Sequence, residues 1–126
     1  MGIVIYLSSP IKREVLTAAI YWTKNTNVWN EGTRGLRPIT GANEIVMDTT
    51  WNYLKLVIDW NKRVYKRLIT GFLDLDLTSL LLHAVQPSIT AAPWMTQGGF
   101  EVIVGFRLNE GTRGYIDDVR LYVNEE

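Results

Sequence analysis

Closely spaced carboxylates are the side chains of this chain best placed by type to do chemistry. Glycoside hydrolysis, the reaction they suggest, needs two of them facing one gap, about 5 Å apart for retention and roughly 6.5–9.5 Å for inversion. Glu44 and Asp48 stand four strand steps apart, about 13 Å at ordinary rise, too far for a retaining pair. Asp74 and Asp76 are two steps apart, about 7 Å, which is admissible. Leu73, Leu75 and Leu77 alternate with them, however, and an alternation of that kind puts the aspartates on the solvent side of a strand. Asp117 and Asp118 are consecutive and point to opposite faces of a strand unless a bulge realigns them. No catalytic residue is assigned, and the sequence leaves open whether the chain is an enzyme.

Other chemistries have fewer residues to draw on. There is no cysteine, which removes disulfides, thiolate zinc sites and a cysteine nucleophile. His83 is the only histidine, so a serine triad or a histidine-rich metal site would rest on that one residue. No metal ligand set is assigned. Calcium needs several oxygens at 2.3–2.6 Å, and Asp48, Asp59 and Asp117 near strand ends are the acids that would have to converge. No EF-hand loop or Asp-rich run brings them together, so no cofactor is expected.

Sugar recognition is better provided for. It takes a flat aromatic face against the apolar side of the ring, with amides, carboxylates or guanidinium groups for the hydroxyls. Trp29 and Trp94 sit in polar stretches and are expected to be exposed, whereas Trp22, Trp51 and Trp60 belong to apolar strands and are expected in the core. Beside Trp29 runs Asn30-Glu31-Gly32-Thr33-Arg34-Gly35, and the same hexapeptide recurs as Asn109-Glu110-Gly111-Thr112-Arg113-Gly114. Its flanks do not align, so it indicates one loop chemistry used twice rather than a repeat architecture. Gly permits positive φ, Asn can bond its own turn, and Glu-x-x-Arg can close an ion pair. Neighbouring loops would present Arg34 and Arg113 together. Trp29, Asn30, Arg34, Trp94 and Arg113 are the candidate ligand-binding residues, with packing of Trp29 and Trp94 against a neighbouring subunit or a missing segment as an equal alternative.

The elements that must position these residues read as strands. Residues 51–60 alternate, with Leu54, Leu56, Ile58 and Trp60 on one face and Tyr53, Lys55, Val57 and Asp59 on the other. Asn61-Lys62 supplies a turn and residues 64–69 return as a second strand, giving a hairpin. Residues 72–77 and 100–108 alternate again. Residues 15–23 and 43–48 also read as strands, with Gly32, Gly35, Pro38 and Gly41 marking a long loop between them. Residues 78–85 carry the one helical signal, enough for a single short turn. In residues 116–123, Ile116 and the set Val119, Leu121 and Val123 have opposite parity, which predicts a bulge at Asp117-Asp118.

Composition sets the outer bounds. A chain of 126 residues, 47% hydrophobic and 21% charged, fits one domain spanning 1–126 with a core. Thirteen basic and thirteen acidic residues cancel, so no bulk field favours nucleic acid or an anionic membrane. No apolar run is long enough for a membrane-spanning helix. Five Trp, six Tyr and three Phe with neutral mean hydropathy are rich for so small a domain. That richness predicts a homo-oligomer, or contact with a segment missing from the chain. Compartment is not legible.

The last strand, Gly114-Tyr115-Ile116-Asp117-Asp118-Val119-Arg120-Leu121-Tyr122, resembles the closing strand of concanavalin A-like, laminin-G-like jelly-roll domains, which commonly reads Gly-x-Ile-Asp-Glu-Val-Arg-Ile-Tyr. Trp51-Asn52-Tyr53-Leu54-Lys55-Leu56-Val57-Ile58-Asp59 and the hairpin after it are similar to the run that precedes that close. The resemblance covers residues 51–122. It implies an all-β, antiparallel β-sandwich of jelly-roll type, here abridged or a fragment, with a concave face and edge loops for ligands, sometimes with calcium. It implies a non-catalytic binding or accessory module with carbohydrate as the leading ligand class. A glycosidase or lyase domain and a structural oligomerisation or interaction domain are the alternatives on the same scaffold.

Overall fold

The computed structural model describes residues 2–9, 14–46, 50–85, 99–105, 116 and 118–120. Among them nine strands form: β1 (Gly2–Ser9), β2 (Glu14–Thr23), β3 (Val28–Glu31), β4 (Arg37–Asn43), β5 (Leu54–Asp59), β6 (Val64–Thr70), β7 (Asp74–Asp76), β8 (His83–Val85) and β9 (Gly99–Gly105). All pairing between strands is antiparallel, and no described residue is helical. One sheet has the order β4-β3-β2-β1-β9 with β8 also on β2; the other is β5-β6-β7.

β2 organises the larger sheet. Residues 15–20 are all buried, as a central strand whose apolar run is interrupted only by Thr17 requires. β1 occupies one edge of β2 from Glu14 to Tyr21. β8, paired with Val15–Thr17, and β3, paired with Ile20–Thr23, must therefore share the other edge end to end. Where they meet, the Ala19 N–H has no strand to bond. The Tyr65 hydroxyl, reaching over from β6, accepts it at 2.8 Å, and Gly32 N donates to Ala19 O at 2.9 Å. Tyr65 is fully buried, and burial pushes its phenol well above the ordinary 10.0, opposed by the Ala19 bond and reinforced by the Glu31 charge.

The two sheets share one core. Ala18, Ile20, Trp29 and Ala42 of the larger sheet pack with Tyr65 and Leu68 of β6, and with Leu77 and Leu82 of the segment joining β7 to β8. That segment follows β6 by backbone bonds from Leu77 N to Lys66 O, Tyr65 N to Leu80 O and Leu82 N to Arg63 O before crossing to β2. An ion pair between Arg63, in the β5-β6 turn, and Glu14, at the start of β2, ties the sheets at that end.

The hairpin and the alternation of residues 72–77 form as the periodicity predicts, with Leu73, Leu75 and Leu77 against the core and Phe72, Asp74 and Asp76 outside. Residues 78–85 hold a short turn, as expected, followed by β8. The expected long loop before residue 43 is instead β3 and β4, and residues 44–46 are not strand. Pro38 and Gly41 are tolerated because β4 is an edge strand, with Gly41 at φ 78°. β1 was not signalled by alternation at all. In the expected closing strand, the described residues Ile116 and Asp118–Arg120 do not have strand conformation. Ile116 and Val119 are exposed rather than on the core face, and Asp117 of the expected bulge lies outside the described residues. The Arg120 Nε bonds Asp118 Oδ1 at 2.8 Å instead, with Asp118 in the left-handed region at φ 50°. The rest of that segment lies outside the described residues.

Candidate functional site

Three of the most exposed large apolar side chains gather at one place. Trp51 (72% exposed), Tyr53 (60%) and Phe72 (83%) line a cleft of about 320 Å³ together with Glu44, Thr50, Asn52 and Gly71. Trp51 and Tyr53 lead into β5 with the same parity, and Phe72 stands in the turn between β6 and β7. Thr70 shapes that turn: its Oγ1 accepts from Phe72 N at 3.3 Å and Leu73 N at 3.0 Å, which presents Phe72 outward.

Glu44 is the fixed point of the cleft. Its carbonyl oxygen accepts from the Trp22 indole at 2.8 Å, and its Oε1 from the Trp29 indole at 3.3 Å. Its Oε2 accepts from the Thr70 hydroxyl. One residue just past β4 thus satisfies two tryptophans of the larger sheet and grips the end of β6 in the smaller. Each carboxylate oxygen has two lone pairs, so acceptor capacity remains on the cleft side.

Of the residues singled out by sequence, the described ones, Trp29, Asn30 and Arg34, do not line this cleft. Trp29 is on β3 and fully buried, not in a polar loop, because it pairs with Trp22 across the β2-β3 hairpin and faces the core. Asn30 is 4% exposed, and its Nδ2 is directed at Tyr21 O, Thr23 Oγ1 and Val28 O, which makes it a brace for the hairpin. Glu31, 1% exposed, accepts from Thr33 N and Oγ1, both at 2.5 Å, and pairs with Arg37 at 3.5 Å. Arg34 does not close the expected pair with Glu31; its Nε donates to His83 Nδ1 at 2.9 Å on the surface. Trp94, Arg113 and the second hexapeptide lie outside the described residues. Trp60 packs against the core as expected, but Trp51, expected there, is exposed.

Asp74 and Asp76 do not form an acid-base pair. The Arg67 guanidinium grips Asp74, with Nη2 to Oδ2 at 2.6 Å, and holds its carboxyl below the usual range. Thr78 does the same to Asp76 through its hydroxyl at 2.7 Å and its N–H at 2.9 Å. A general acid needs the opposite shift. Asp48 is outside the described residues. Among the described residues no three His, Asp or Glu side chains gather to hold a metal ion. No protein-family model matches the chain, and no curated protein or solved structure matches it.

Proposed function

We propose that the chain is a non-catalytic binding or accessory module, that its two sheets are those of a concanavalin A-like, laminin-G-like β-sandwich of jelly-roll type, and that its ligand is a carbohydrate held in the Trp51–Tyr53–Phe72 cleft. The observation that carries this reading is the concentration of three exposed aromatic side chains around a cleft whose wall holds a positioned carboxylate. Aromatic faces suit the apolar side of a sugar ring, and Glu44, Thr50 and Asn52 can meet hydroxyl groups at its rim. Both Glu44 oxygens already take donors from Trp29 and Thr70, which suits a fixed acceptor more than a group that shuttles protons.

A glycan array with the wild type, Trp51→Ala and Phe72→Ala tests this. Binding to a definable set of glycans is expected, weakened about ten-fold or more by Trp51→Ala. Uniform lack of binding overturns it. If light scattering then shows an oligomer that Phe72→Ala dissociates, the same aromatics serve subunit contact.

A further inference from the structure

We propose that the cleft selects ligands carrying an ammonium group, so that its saccharide is an amino sugar rather than a neutral or acidic one; this rests on reading the cleft as a ligand site. Three features point the same way. The aromatic rings offer negative faces to a cation, and Trp, Tyr and Phe are the side chains that do so. Glu44 adds a formal negative charge in the same wall, pinned by Trp29 and Thr70. The described lining contains no lysine, arginine or histidine to offset that charge or to receive an acidic sugar. A neutral hydroxyl draws on Glu44 only as an acceptor, whereas an ammonium group gains from the charge and from the rings together.

The probes are a glucosamine tetramer, the N-acetylglucosamine tetramer, a galacturonic acid tetramer and tetramethylammonium. Each is titrated calorimetrically at mildly acidic pH into the wild type, Glu44→Gln, Phe72→Leu and Trp51→Ala. The glucosamine tetramer is expected to bind about five- to ten-fold more tightly than its N-acetylated counterpart. That ratio should fall toward one in Glu44→Gln. Because Glu44 also supports Trp29 and Thr70, Phe72→Leu is the second variant. Phe72 is 83% exposed, so the fold does not depend on it, and leucine keeps apolar area while removing the ring face. There too the ratio should fall.

Equal affinity for the two tetramers, or preference for galacturonate, overturns the charge selection and leaves carbohydrate binding standing. Tetramethylammonium binding that is lost in Trp51→Ala and Glu44→Gln, with no oligosaccharide bound, supports the cation site and overturns the sugar reading. Absence of binding by every probe overturns the ammonium selection, and the glycan array then decides the carbohydrate reading.

Discussion

Single side chains join the two sheets, and Tyr65 shows how much one can do. Its hydroxyl is the acceptor for the Ala19 N–H at the gap between β3 and β8. Tyr65→Phe leaves that buried N–H without a partner and should cost about 1–3 kcal/mol in urea unfolding. The pH dependence follows from the direction of the shift. The folded state holds the phenol neutral beyond its ordinary 10.0, so this stabilisation is complete below pH 10 and is lost as pH rises above it. The wild type should therefore lose stability more steeply than Tyr65→Phe in unfolding curves taken past about pH 10. A constant gap between the two across that range would contradict the role given to the hydroxyl. Glu44 works in a comparable way, fixing Trp22, Trp29 and Thr70 while facing the cleft.

At the scale of elements, the β1-β2-β3 ladder depends on Tyr21, whose ring lies across Gly2 of β1 and Gly32 just after β3. A Cβ at Gly32 would overlap that ring. Gly32→Ala should destabilise by about 1–3 kcal/mol in thermal or urea unfolding, and a neutral result would place the ring elsewhere. The first glycine of the hexapeptide is thus required by packing, while Gly35, at φ 85°, is required by its backbone. Period-two alternation made β5, β6 and β7 legible, because each has one face on the core. β3 was not legible, because Asn30 and Glu31 look like loop residues, and their burial depends on hydrogen bonds to the adjoining β2 strand and the following turn that polarity alone does not signal. The turn-rich Lys24-Asn25-Thr26-Asn27 between Trp22 and Trp29 was the available hairpin signal. Trp51 was misplaced by its hydrophobicity. Its parity with Tyr53, Lys55 and Asp59 already pointed outward, as Phe72 did with Asp74 and Asp76, so the aromatic half of the cleft was readable from phase along the strands. Its closure was not, since Glu44 and Phe72 meet only through tertiary packing.

For the whole molecule, the core between the sheets absorbs Trp29, Tyr65, Leu68 and Ile20, and among the described residues the exposed aromatic surface is concentrated at the cleft. Leu36, Leu81 and Ile103 are further exposed apolar residues, the kind of surface a second chain would cover. Ligand and partner readings separate by which tryptophan senses the ligand. Of the five tryptophans, Trp51 is in the cleft, whereas Trp22, Trp29 and Trp60 belong to the core or pack on it. The most direct measurement is the set of indole N–H resonances of the ¹⁵N-labelled protein during titration with the strongest-binding glycan, with Trp51→Ala supplying the assignment. The Trp51 resonance should shift saturably with the ligand. A ligand that binds while moving only the Trp94 resonance, with Trp51 stationary, would contradict the cleft as the binding site.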